Sequence, residues 1–278
     1  MRGQMDWVAL ESTAFTVAFV GSFIILAIWE SLRPWCTLTG STERRWMKHG
    51  ILFAVSVVLQ SVAIRTSPLL VAQTVAGKPW ALLNGSWLPW PVQFAIALLL
   101  LDFVHYATHR LLHAFRVGWR IHEIHHSDTD YDISISVRFH PLEVAGNRVL
   151  YLAAIAVLAP PLAAVFVSEV LSTLINALVH ANIELPQRLE RALRLAFITP
   201  ELHRIHHSSD VGEQNSNFGQ TLVWWDRLFG TYQGSARLNS AEFTTGVANL
   251  PPGSDAGVWS LLAAPFRRRG PEQSGAQP

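Results

Sequence analysis

Histidine carries the chemistry of this sequence. Eight of its twelve histidines fall in three short clusters, HRLLH (His109, His113), HEIHH (His122, His125, His126) and HRIHH (His203, His206, His207). On a helix, residues three and four apart share a face, with Cβ atoms about 5–6 Å apart, so each cluster presents its imidazoles to one locus. Neutral imidazole suits zinc, copper, iron and nickel. Eight donors exceed the four of a tetrahedral zinc site, which argues for two metals. Two chance matches to HxxHH are expected on the order of 10⁻⁴ times per chain of this histidine content. The single cysteine, Cys36, excludes thiolate clusters and internal disulfides.

His122, Glu123 and His126 also satisfy HExxH, the zinc-protease pattern in which Glu is the general base. An intramembrane zinc metalloprotease is therefore the alternative reading. Against it, Arg204 stands at the matching position of HRIHH, and a protease needs neither of the other clusters. A third reading, a non-enzymatic membrane haem or metal carrier, would distribute its histidines over separate spans rather than gather them at helix ends. His105, one turn deeper than His109, is a further metal candidate or a structural histidine. His49 opens an apolar helix beside Lys48 and reads as interfacial.

The elements that must position these clusters belong in a membrane. Half of the residues are hydrophobic and 15% are charged, and the mean hydropathy is +0.25, too apolar for an ordinary soluble domain. The net charge of +1 is scattered, which leaves no case for nucleic acid. Asp6 and Glu11 argue against a cleaved signal, so the first apolar segment is read as retained. Trp7 to Trp29 is long enough to span. His49 to Ala76 is a second apolar stretch broken by Arg65 and Pro68, its second half expected along the interface. A third span starts near Pro91 and ends in HRLLH. Val144 to Ala159 and Leu162 to Val179 form a hairpin about Pro160-Pro161. Arg33, Arg44, Arg45 and Lys48, then Arg188, Arg191, Arg194 and Arg204, put the histidine end on the cytoplasmic side. The chain thus divides into N-terminal membrane helices (1–101), a catalytic histidine region (102–250) with a membrane hairpin at about 144–179, and a partly disordered tail (251–278).

In order as well as content, the three clusters resemble those of the fatty acid hydroxylase and sterol desaturase superfamily, integral membrane non-haem di-iron oxygenases. The resemblance covers Asp102 to Tyr232 and extends to VRFHPLE (Val137 to Glu143), NALVHANIELP (Asn176 to Pro186) and NFGQTLVWWDRLFGTY (Asn217 to Tyr232). The bacterial sterol-desaturase-like subgroup is the nearest. The resemblance implies an all-α integral membrane protein, in a bacterium of the inner membrane, with about four to five membrane-embedded helices and a cytosolic histidine-rich helical cap. It implies nine ligands to two irons: His109, His113, His122, His125, His126, His180, His203, His206 and His207. Some relatives carry a tenth histidine where this chain has Asn176, whose amide can hold a metal-bound water. His140 is a possible substitute, or it fixes a turn at Pro141. O2 would be co-substrate, and zinc can replace iron in purified protein. The reaction implied is hydroxylation or desaturation of a lipid or sterol-like substrate.

Ligating histidines usually donate their outer N–H to a carboxylate or carbonyl. Asp102, Glu123, Glu143, Glu201 and Asp226 are nominated for that role, and Asp128 with equal weight as a solvated residue. No flavin motif or cysteine cluster is present, so electrons are expected from a separate electron-transfer protein. Arg188, Arg191 and Arg194 would face that protein or, slightly favoured, membrane lipids. Trp224, Trp225 and Phe229 are candidate walls of a substrate route.

Overall fold

The computed structural model describes residues 7–83, 87–237, 243–247 and 257–267. These form an all-α protein whose only β-type pairings, among the described residues, are two isolated bridges, Phe197 with Leu222 and Ser208 with Thr245. Helix α1 (Trp7–Leu32) is followed by α2 (Thr42–Ala63), α3 (Pro68–Val75) and α4 (Trp90–Ala114). After α5 (Arg116–His126) and a 3-10 turn (Ile133–Val137) come α6 (Pro141–Leu158) and α7 (Leu162–His180). Short helices α8 (Gln187–Leu193), α9 (Pro200–His206), α10 (Val211–Gln214) and α11 (Trp224–Phe229) complete the histidine end. Of the expected tail, 257–267 form α12 (Val258–Ala263) and a 3-10 turn packed on α2 and α5. The rest of that tail, and Asp6 near the N-terminus, lie outside the described residues.

Five segments are long and apolar enough to cross a membrane: Leu10–Leu32, Thr42–Val75, Trp90–Ala114, Pro141–Leu158 and Leu162–His180. Val17, Ile25, Val58, Val62, Val149 and Val157 stand exposed on these helices, the surface expected of a protein solvated by lipid. The breaks follow local chemistry. α2 begins at Ser41, whose hydroxyl accepts from Arg44 N–H, and ends before Arg65, which is left-handed at φ 49°. Ser67 caps α3, and Pro68 occupies its first turn. α3, the segment expected along the interface, packs one face on the hairpin and leaves Leu70, Gln73 and Thr74 exposed. Leu69 and Ala72 are fully buried against Tyr151, Ile155 and Val165 of the hairpin. The hairpin turns at Ala159, left-handed at φ 45°, and Pro160-Pro161.

α4 packs against α5, α6 and α7, while α1 lies along α7, and the last turns of α1, α4 and α7 meet the first turn of α6 at one end. Gly118 lets α5 fold back there. A Cβ at this position would stand 2.8 Å from the Cα of Leu112.

The same end holds a buried polar network that corrects two expectations from sequence. Arg45 is 1% exposed and pairs with Asp130 (2.9 Å) and Asp132 (2.5 Å). His49, read as interfacial, is fully buried between Ser134 (2.7 Å) and Asp128 (3.1 Å), with Arg138 at 2.7 Å. Arg45 and His49 are one helical turn apart, so α2 delivers both to the Asp128–Asp132 loop. Arg204, counted among the cytoplasmic basic residues, is also buried, its guanidinium 4.0 Å from the ring centroid of Trp35 and donating to Ile183 C=O (2.9 Å). Removing one partner from a buried pair costs about 3–5 kcal/mol, so this network fixes the loop between α5 and α6.

Candidate metal centre

Nine histidines converge where α4, α5, α7 and α9 meet. His109, His113, His122, His126 and His206 form one set, and His125, His180, His203 and His207 the other; within each set the nearest ring nitrogens all lie within 4.8 Å of one another. The sets adjoin, with ring centroids 4.4 Å apart for His126 and His207 and 5.3 Å for His122 and His125. α5 supplies members to both sets, because about 100° of turn per residue puts His125 and His126 on opposite sides of His122.

The outer nitrogens identify the tautomers. The Nδ1–H of His109 donates to Phe218 C=O (2.9 Å), that of His125 to Arg138 C=O (3.2 Å), that of His180 to Asn176 C=O (2.7 Å) and that of His206 to Ser216 C=O (2.7 Å). A carbonyl only accepts, so each Nδ1 carries the proton and each Nε2 presents a lone pair inward. His122 Nδ1 lies 2.7 Å from a Glu143 carboxylate oxygen and follows the same rule. Lone pair therefore faces lone pair at 3.2 Å between His109 and His122, and again at 3.2 Å between His125 and His180. The inward Nε2 atoms of His206 and His207 are buried without a hydrogen-bond partner. Imidazoles arranged this way repel unless a cation sits among them. The spacing suits one, since ligands about 2.1 Å from a metal at right angles are about 3 Å apart. The donors fit two metal ions.

Burial keeps these rings neutral, as ligation requires. His125, His126, His203 and His207 are pushed well below the ordinary imidazole range by burial first and by neighbouring imidazoles second. His206 falls to about 3 for the same reasons, partly offset by its backbone hydrogen bonds.

The nominated carboxylates occupy different layers. Glu143 is hydrogen-bonded to His122, one of the nine rings. Asp102 accepts from Thr221 N–H, Leu222 N–H and the indole of Trp225, and Asp226 from Phe218 N–H, Gly219 N–H and the Thr231 hydroxyl. Both thus shape the loop whose Phe218 carbonyl orients His109. Burial raises the Asp226 carboxyl to about 6 despite those hydrogen bonds. Gly219 is required in that loop, since a Cβ would stand 2.9 Å from the Asp226 carboxylate and 2.6 Å from Leu222 C=O. Asp128 is buried, not solvated. Burial alone would raise its carboxyl, but the hydrogen bond from His49 and the charge of Arg138 hold it at about 2. Glu123 is fully buried. Glu201 is half exposed and pairs with Arg194 at 2.8 Å, so its carboxylate points away from the histidines.

The three added candidates stand outside both sets. His140 caps α6, its Nδ1 accepting from Leu142 N–H and its Nε2 lying 3.2 Å from Leu262 C=O, so it fixes the turn. Asn176 donates from its side chain to Ser136 C=O (3.0 Å). His105 stacks on Tyr151 with centroids 4.8 Å apart, its Nε2 buried without a partner. His105 and Asn176 do line a cavity of about 100 Å³ with His109, His122, His125, His180 and His203. A second cavity, about 320 Å³, runs between the membrane helices past Phe15, Phe19 and Phe53, and shares His105, Phe139, Asn147 and Asn176 with the first. Trp224 lines a different apolar cavity, with Leu98, Leu99 and Leu171. Trp225 and Phe229 pack on Phe103 of α4.

Sequence reasoning missed Arg45, Asp130, Asp132 and Ser134. One signal was available: three acids at alternate positions (Asp128, Asp130, Asp132) directly after a histidine cluster in an apolar chain need buried partners, and Arg45 with His49 offered them.

Fold and site together define a membrane-embedded helical protein with a nine-histidine, two-set metal-binding pattern. The chain belongs to the fatty acid hydroxylase family, whose pattern matches residues 94–231. It is 30% identical to the ornithine lipid hydroxylase OlsE of Rhizobium tropici over 92% of this chain and 76% of that protein. It is also 30% identical to human alkylglycerol monooxygenase over 52% of this chain and 32% of that protein. To rat methylsterol monooxygenase 1 it is 30% identical over 47% of this chain and 43% of that protein. No solved structure matches the chain significantly.

Proposed function

We propose that this protein is a non-haem di-iron oxidoreductase that uses O2 to hydroxylate or desaturate a C–H bond of a lipid or sterol-like substrate. The observation that carries this reading is the facing of unshared Nε2 lone pairs in both histidine sets, at the end of an apolar cavity between membrane helices. The relatives, a lipid hydroxylase and two monooxygenases, support the reaction class. Two irons held by His109, His113, His122, His126 and His206 and by His125, His180, His203 and His207 would supply O2 activation and hydrogen removal, which no side-chain acid or base can perform.

The chain's own residues do the rest. Glu143 and the carbonyls of Phe218, Arg138, Asn176 and Ser216 hold the imidazoles in the ligating tautomer. Phe15, Phe19, Phe53 and Val144 line an apolar approach from the bilayer, and Phe139, stacked on His125 at 4.3 Å, stands where that approach meets the histidines. Exposed Arg33, Arg44, Arg110, Arg116, Arg188 and Arg191 gather at the histidine end, against Arg65 and Lys78 at the other, which supports a cytoplasmic histidine cap. Electrons would come from a separate protein. The protease reading needs Glu123 beside a metal-bound water, whereas Glu123 is fully buried and His122 and His126 share their set with three further histidines.

Metal analysis after anaerobic reconstitution is expected to give about two irons per chain, with zinc able to replace them. Lipid mass spectrometry of cells with and without the protein under O2 is expected to show gain of an oxygen or loss of two hydrogens. A single zinc with no iron binding, or an unchanged lipid profile, would overturn the proposal.

A further inference from the structure

The larger cavity contains an ion pair that the histidine chemistry leaves unused. Arg148 of α6 and Glu169 of α7 meet at 3.2 Å, with side chains still 25% and 16% exposed. Both line the cavity beside Tyr151, opposite Phe15, Phe19 and Phe53. Each falls near the middle of its membrane-length helix. Ionisable residues at such depth are expensive and mark sites of function by default. A tie between α6 and α7 does not require them, because packed apolar residues serve a buried helix contact as well or better than an ion pair. The neighbouring hydroxyls are already engaged, Tyr151 donating to Ser168 at 3.2 Å. The pair is therefore the cavity's main charged feature.

Its place along the helices sets a distance. Glu143, bonded to His122, is five residues before Arg148 on α6, and His180 is eleven residues after Glu169 on α7. At 1.5 Å of rise per residue, the pair lies roughly 8–16 Å from the histidines.

Resting on the cavity being the substrate's approach, as in the proposed function, we infer that Arg148 and Glu169 anchor a neutral hydroxyl or amide of the lipid and so choose which carbon reaches the histidines. The pair is neutral overall. A hydroxyl or amide accepts from the guanidinium and donates to the carboxylate, and satisfies both. An anion would pair with Arg148 and leave Glu169 uncompensated in an apolar wall, and a cation would do the reverse. The oxidised carbon then stands roughly 8–16 Å from the anchored group.

The test is retention of matched probes by the full chain in detergent, counted by mass spectrometry after gel filtration. The probes are 1-hexadecanol, hexadecanamide, palmitate and 1-chlorohexadecane. The alcohol and amide are expected to be retained about fivefold more than the other two, the worth of a modest hydrogen bond. In Arg148→Met with Glu169→Met the preference should vanish while iron content is unchanged. If that variant does not fold, Glu169→Gln is read instead: it keeps size and an acceptor for Arg148 but frees its charge, so palmitate should rise to match the alcohol. Equal retention of all four probes by the unaltered protein, or a preference that survives in the variants, overturns the anchor. Retention needs no turnover. A chain without iron that still selects the alcohol refutes the oxidation reading alone, and an iron-bearing chain that oxidises lipid without selecting refutes the anchor alone.

Discussion

The five histidines around His122 and the four around His180 are the same ligand chemistry held in two ways. Behind the five-histidine set stand a carboxylate, Glu143, and two carbonyls, those of Phe218 and Ser216. The Phe218 segment is itself held by Asp226. Behind the four-histidine set stand the carbonyls of Arg138 and Asn176. Arg138 is held in turn by Asp128, which its guanidinium meets at 3.2 Å. A carboxylate behind an imidazole raises its basicity and offsets metal charge, whereas a carbonyl mainly orients it. Glu143 thus compensates charge in the five-histidine set, whereas the four-histidine set has one donor fewer and depends on a buried ion pair one layer back.

The largest effect comes from removing a ligand from each set. His122→Ala and His180→Ala should each leave about one iron per chain of the two, and should lower oxidation on the order of 10⁴-fold, because groups that act as a unit fail together. Iron content with lipid product analysis reads both. If either variant keeps two irons, the division into sets is wrong. Next in size is Asp128→Ala, which strands Arg138 in the interior. Unfolding in detergent should show a loss of about 3–5 kcal/mol. In partly denaturing conditions the four-histidine set should release its metal first, since His125 leans on the Arg138 carbonyl; simultaneous release would break the comparison.

Glu143→Gln keeps shape and a hydrogen-bond acceptor while removing charge. Metal affinity should weaken about 10–100-fold, and in one of the two sites only. Stepwise chelation followed by metal counting gives the two affinities separately. Equal weakening at both sites would mean that Glu143 acts through the whole cap rather than through His122.

The convergence of the histidines was legible because helical spacing gathers rings three and four residues apart on one side of a helix. All nine proposed histidines meet, but of the three clusters only HRLLH stays in one set; HEIHH and HRIHH each divide between the two, contrary to the expectation of one locus per cluster. Membrane helices were legible from length and apolarity, and the hairpin from Pro160-Pro161. What could not be read was which surface each polar residue faced. Arg45 and Arg204 look like cytoplasmic charges in a string of letters, yet Asp130 with Asp132, and Trp35 with Ile183, take them inside. Those partners are far away in sequence, and nothing periodic announces them. Asp102 and Asp226 were rightly singled out as acids near the motifs, but they act through loop N–H groups and the Trp225 indole, contacts that depend on a turn at Gly219 rather than on spacing. Glu201 shows the converse, an acid beside a ligand that faces the other way.

The smallest effect asks whether the unequal backing of the two sets reaches their protons. In the metal-free protein His206 and His126 of one set, and His125, His203 and His207 of the other, are held neutral by burial first and by imidazole repulsion second. In the unfolded chain the same rings titrate near 6.5. Below that pH the unfolded state binds more protons than the folded one, so stability is full above about 6.5 and falls as pH drops. Each ring costs about 1.4 kcal/mol at pH 5.5, one unit below the unfolded value. Unfolding of chelator-treated protein between pH 7 and about 5.5 should show this slope; a flat or rising profile would sink it. His206→Asn and His203→Asn then remove one ring from each set. Because burial is the leading cause in both, the two variants should flatten the slope equally, even though Glu143 stands behind one of the two sets. If His206→Asn and His203→Asn differ, Glu143 sets protonation as well as affinity, and the two sets are less alike than their imidazoles suggest.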